Sequence, residues 1–165
     1  MKILWRLFLA ALLGTGGFFA YQFFYPGEEN RIRERLGDLA ATVSIEAGAG
    51  NIRKGLMLEQ FPHYFTQDCE ITVTLKGRKR TMSGRSDMAQ AGKYLLGMQG
   101  GIDVEFHDVA VTLNEEKNSA KVLLTSTMMM TATETLSAQE FEVKMVKEEG
   151  TWLVSRAKSF ESLTR

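Results

Sequence analysis

The chain has 165 residues, 44% hydrophobic and 24% charged, a globular composition at the size of one domain. Its formal net charge is zero; of its 20 Lys and Arg, Lys2 and Arg6 precede an apolar segment, so the remainder carries 18 basic against 20 acidic residues, about −2. That balance excludes nucleic acid as a partner, since such binding needs a basic surface to neutralise phosphates, and the lone Cys69 excludes a disulfide framework or a multi-cysteine metal site.

Leu7 to Tyr25 is a run of 19 uncharged residues. As a helix rising about 1.5 Å per residue it would span roughly 28 Å, near the thickness of a bilayer's hydrocarbon core. Phe18, Phe19, Tyr21, Phe23, Phe24 and Tyr25 suit the far interface, and Lys2 and Arg6 favour an amino terminus left in the cytoplasm. The expectation is a single-pass inner-membrane anchor over residues 1–26, with a globular domain over 27–165 held outside the cytoplasm. The competing reading is a cleaved signal peptide, with Trp5 to Leu13 as its apolar region and Gly14-Thr15-Gly16 before the cut. Both export the domain.

Pro26-Gly27 ends the apolar run, and Glu28 to Ile45 reads as an amphipathic helix with Ile32, Leu36, Leu39, Ala40 and Val43 on one face. Arg31, Glu34, Arg35 and Asp38 form its solvated, salt-bridged side. Ala47 to Asn51 is a turn, and Ile52 to Phe61 a short helix whose apolar positions include Leu56 and Phe61, broken by Pro62. Cys69, Ile71, Val73 and Leu75 alternate with polar residues as a strand with one apolar face, which makes Cys69 a buried, inert thiol. Lys76-Gly77 turns this strand into Arg78 to Met82, a hairpin with a basic tip that protects a sheet edge.

Ser86 or Asp87 can cap a third helix carrying Met88, Ala91, Tyr94, Leu95 and Met98 on its apolar face, stopped by Gly100-Gly101. Val104 to Leu113 and Ala120 to Thr133 are strands. The closing run, Gln139 to Phe160, is a hairpin: Phe141, Val143 and Met145 alternate with charges, Glu148-Glu149-Gly150 turns, and Trp152-Leu153-Val154 restarts the extended pattern. It is expected at the closing edge of the sheet, beside the two preceding strands. The order helix, helix, hairpin, helix, four strands gives an α+β fold with a mainly antiparallel sheet.

Tyr64-Phe65-Thr66-Gln67-Asp68 entering the first strand, Ser83-Gly84-Arg85 leading into the third helix, and Gly150-Thr151-Trp152-Leu153-Val154 near the end together resemble the nuclear transport factor 2-like superfamily. That superfamily includes ketosteroid isomerase and the SnoaL-like polyketide cyclases. The resemblance covers the chain from about Glu28. It implies a strongly curved mixed sheet wrapped around three helices as a cone-like roll, a pocket at the open end, and homodimerisation through the sheet. Against the ketosteroid isomerase pattern, the general-base aspartate falls at Val73, and the first helix has no tyrosine to serve as oxyanion donor. An apolar residue cannot accept the substrate proton, so that chemistry lacks its first step.

Four residues are candidates for catalysis on other grounds. His63, Tyr64 and Asp68 lie together at a helix-to-strand junction, and His107 joins them if its face points inward. Plugging the sheet and bonding turn amides are the ordinary roles for the junction residues. Asp103, Glu105 and His107 share a strand face and could offer metal ligands, although solvated carboxylates are commoner there. Met128 and Met130 project together from TSTMMMTAT; paired thioethers suit Cu(I), but methionine more often lines a core or adaptable pocket. No metal or cofactor is therefore expected, and Phe141, Met145, Trp152, Met128 and Met130 are the expected lining of an apolar ligand pocket.

The functional expectation is a membrane-tethered, exported, non-catalytic domain that binds a small apolar ligand or a protein partner. An enzyme acting on a small carbonyl or lipid-like substrate, by isomerase, cyclase or dehydratase chemistry, is the alternative. A third reading is an envelope assembly component, since inner-membrane assembly factors of type IV secretion also join one transmembrane helix to this fold. Those carry a longer amino-terminal segment and an NPxG-like turn, which this sequence lacks.

Overall fold

The computed structural model describes residues 27–75, 78–97, 101–131 and 133–160. The expected anchor at Leu7 to Tyr25 and the Lys76-Gly77 tip lie outside the described residues, and no described helix is long and apolar enough to cross a membrane. The elements are α1 (Glu28–Val43), α2 (Asn51–Gln60), a 3-10 turn (Phe61–Tyr64), β1 (Phe65–Leu75), β2 (Arg78–Ser83), α3 (Gly84–Gly97), β3 (Ile102–Leu113), β4 (Ser119–Met130), β5 (Thr135–Glu148) and β6 (Thr151–Phe160).

The strands form one mixed sheet in the order β2-β1-β6-β5-β4-β3, antiparallel throughout except for the parallel β1/β6 pair. This corrects the expected place of the closing hairpin. β5 and β6 stand at the centre of the sheet, where β6 joins the first hairpin to the later strands. The interior rank is legible in hindsight from Leu153, buried on the outer face while Trp152 and Val154 are buried on the inner one.

Helices cover the inner face. Ile32, Leu36, Leu39, Ala40 and Val43 of α1 are all buried, as their spacing predicts, and Ile32, Leu36, Leu39 and Val43 meet Ala120, Val122, Leu124, Val143 and Met145 in one core. Burying these side chains at about 25 cal/mol per Å² drives the layering. Two helical faces depart from expectation. In α2 the buried residue is Met57, while Leu56 is 43% exposed, because the helix turns Met57 and Phe61 toward α3. Tyr94 of α3 is 67% exposed, and Met88 and Gly92 are its buried residues. A short helix takes its inner face from the neighbours it meets, and propensity is too weak to resist.

Two glycines are required by the backbone. Gly84 opens α3 at φ +76, where Asp87 accepts a hydrogen bond from the Ser83 amide at 2.8 Å. Gly101 has φ +81, and a Cβ there would lie 2.6 Å from the Ala47 nitrogen, so only glycine lets the turn after α1 lie against the start of β3.

Candidate functional site

The inner face has two ends. At one, the β5–β6 turn meets the start of α1. Glu28 accepts hydrogen bonds from the Trp152 indole at 2.8 Å and from the Lys147 ammonium at 2.9 Å, and pairs with Arg31 at 3.3 Å. The Lys147 hydrogen bond holds the Glu28 carboxyl below its usual range, with burial opposing and Trp152 assisting. A carboxylate at a helix amino terminus also meets the positive end of the helix dipole. Above this clamp Met145, Trp152 and Val122 are essentially inaccessible.

Arg35 reinforces the same end. Its guanidinium donates to the carbonyls of Trp152 and His63 at 3.3 and 3.0 Å and lies 4.0 Å from the centre of the Tyr64 ring. Arg35 was expected on the solvated side of α1, and is instead partly buried between elements. One charged residue reaching across a junction leaves no periodic signal in sequence.

At the far end the inner face opens. Along β4 burial falls from Ala120, Val122 and Leu124 to the partly exposed Ser126, Met128 and Met130. Register sets Val104 opposite Met128, Phe106 opposite Ser126, and Phe141 opposite Leu124, all partly exposed except Leu124. Where β1 and β6 part, side chains replace the strand ladder: Ser159 Oγ accepts from the Thr74 amide at 2.8 Å, and the Gln139 amide donates to the Thr74 carbonyl and Ser159 Oγ at 2.6 and 2.9 Å. These two polar residues were not singled out in the sequence, where they read as ordinary strand alternation.

The residues expected to line an apolar pocket therefore separate. Met128, Met130 and Phe141 lie at the open end, whereas Met145 and Trp152 are packed into the clamped end. The four catalytic candidates separate as well. Tyr64 is buried, its hydroxyl 3.0 Å from Thr42 Oγ1, while neighbouring His63 is exposed. Both stand at the clamped end, since Phe65 pairs with Val154. Asp68 lines a groove on the outer face.

His107 points outward, so the inward orientation that would join it to His63 and Tyr64 is not met. Its Nε2 lies 3.0 Å from Thr127 Oγ1 and 3.2 Å from Glu105. Both neighbours address the same nitrogen. A relay from hydroxyl through imidazole to carboxylate needs them on opposite nitrogens, so this trio is not arranged as a nucleophile triad. Asp103, Glu105 and His107 do share the outer face, opposite Met129, Thr127 and Thr125. Among the described residues no three His, Cys, Asp or Glu side chains come together as a metal site. Cys69 is fully buried, and desolvation raises its thiol pKa.

Comparisons with protein-family models and with curated proteins find no match. Solved structures do match. A nuclear transport factor 2-like protein of unknown function from Pseudomonas putida superposes with a TM-score of 0.64 at 12% identity, over 82% of this chain and 87% of that one. A presumed scytalone dehydratase from Novosphingobium aromaticivorans gives 0.63 at 13%, over 82% and 88%. A domain of unknown function with a cystatin-like fold from Nostoc punctiforme gives 0.62 at 16%, over 85% and 80%. Identities this low carry fold and not activity. From the two-ended sheet, its helix cover and these likenesses, the chain has the α+β fold of the nuclear transport factor 2-like, cystatin-like proteins.

Proposed function

We propose that this domain is a non-catalytic binding module that takes a small apolar ligand at the open end of a cone-like roll, tethered to the outer side of the inner membrane by Leu7 to Tyr25. One observation carries the reading. On the inner side of the far halves of β3, β4 and β5, the side chains are Val104, Phe106, Ser126, Met128, Met130, Ser137, Gln139 and Phe141, and none is titratable. Dehydration and isomerisation need a group that accepts or delivers a proton at the substrate. This surface supplies apolar contact and a few hydrogen bonds, the composition of a binding pocket. The dehydratase likeness therefore brings its fold here without a matching base on these strands. Exposed Leu123, Met129 and Leu136 on the outer face favour a second copy of the chain as partner.

Methionine methyl spectra of the full chain in lipid nanodiscs test this. On titration with a small apolar probe such as indole, the Met128 and Met130 methyls are expected to shift in a saturable way. Met57, Met88 and Met145, buried to 2% exposure or less, serve as fixed references. A response at all five, or at none, would rule the pocket out.

A further inference from the structure

The outer face holds a polar groove of about 430 Å³, lined by Thr66, Asp68 and Glu70 of β1, Lys144, Val146 and Glu148 of β5, and Ser155 and Arg156 of β6. It exists because pairing breaks on both sides of β6. The β1/β6 register jumps from Phe65↔Val154 to Glu70↔Arg156, so Thr66 to Cys69 stand against Ser155 alone. Ser155 is also the extra residue opposite β5, where Lys144 pairs with Arg156 and Met145 with Val154. Bulges of this kind re-aim side chains and gather near functional sites.

Two features of the groove are unresolved by the protein itself. Thr66 is 1% exposed, and its hydroxyl is buried without a hydrogen-bond partner. Buried hydroxyls in folded proteins nearly always have one. Register also places Lys144 and Arg156 directly opposite each other, an unfavourable pairing of like charges. Among the described residues neither joins an ion pair within 4.0 Å, nor do Asp68 or Glu70. The groove thus presents two adjacent cations beside uncommitted carboxylates, with the unpartnered Thr66 hydroxyl buried in its wall.

We propose that this groove binds a small zwitterion of the amino-acid or dipeptide class. The ligand carboxylate lies between Lys144 and Arg156 and accepts from the Thr66 hydroxyl, and the ligand ammonium faces Asp68 and Glu70. An ionised carboxylate makes charge-assisted hydrogen bonds to both cations and satisfies the buried hydroxyl at once. A simple anion would meet the same cations but leave the carboxylates of the groove as repulsive neighbours, which is why a zwitterion fits better.

Calorimetric titration of the full chain in nanodiscs with glycylglycine is the test. Saturable binding is expected, at least tenfold weaker for N-acetylglycine, which lacks the ammonium, and for glycinamide, which lacks the carboxylate. Arg156→Gln and Thr66→Val should each weaken glycylglycine at least tenfold, and Thr66→Ser should restore binding. Val matches Thr in shape and Arg156 is exposed, so circular dichroism of both variants should match the parent. No binding at millimolar glycylglycine means the groove holds only water and overturns the proposal. Equal binding of N-acetylglycine, or undiminished binding to Thr66→Val, overturns it too. The Met128 and Met130 methyls should stay unmoved by the dipeptide, which separates this site from the inner pocket.

Discussion

The two ends of the inner face are built from the same strands, yet one is closed by charge and the other left open by its absence. At the clamped end a buried tryptophan, a lysine and an arginine converge on Glu28 and on nearby backbone carbonyls, which ties α1 to the β5–β6 hairpin. At the other end the chain leaving α1 meets β3 through neutral contacts, with Ser44 Oγ accepting from the Val104 amide at 2.9 Å and Ile45 bridging Ile102. Polar groups close a core where their partners are fixed in position. Where the partners are only apolar side chains, as at Met128, Met130 and Phe141, the inner face stays partly exposed.

The sharpest way to break this comparison is to truncate a methionine at each end. Met145→Ala should lose about 2–5 kcal/mol in urea denaturation, the cost of a cavity in a core that cannot collapse. Met128→Ala, at a site already partly open, should lose less than about 1 kcal/mol. Similar losses would mean that the two ends are equally packed.

The clamp itself is tested by Glu28→Gln, expected to cost about 1.5–3 kcal/mol, the range of hydrogen bonds to an ionised group. The sign with pH follows from the lowered Glu28 pKa. Its stabilisation is present above the usual value of 4.5 and is lost as pH falls below that and through the folded-state pKa. The parent should therefore lose its advantage over Glu28→Gln in that acid window, and a constant difference between the two down to acid would show that the charge of Glu28 is not what holds the clamp.

The smallest effects separate the two aromatic or imidazole candidates. Tyr64→Phe removes the bond to Thr42 and should cost about 1 kcal/mol in thermal or urea unfolding. His107→Gln, on the exposed outer face, should stay within about 0.5 kcal/mol. The reverse ranking would show that the outer His107, Glu105 and Thr127 cluster is structural.

Periodicity made most of the fold legible. The buried face of α1, the alternation of Cys69, Ile71 and Val73, the even-numbered inner face of β4 and the Glu149-Gly150 turn were all readable, since each depends on neighbours within a few residues. The candidate site was readable only in part. Met128, Met130 and Phe141 could be assigned to one face by counting, but counting cannot say where along a strand burial ends. Arg35, Gln139 and Ser159 act on partners 20 to 117 residues away, and nothing local marks them.

Sequence alone thus determined the α+β class, the element order and the apolar faces, because side-chain identity and strand alternation are local properties. Only the tertiary structure decided that the closing hairpin is central, that His107 faces away from His63 and Tyr64, and that Met145 and Met128 belong to opposite ends. Those outcomes depend on which strands pair and where a bulge shifts register, and pairing is settled by contacts between residues far apart in the chain.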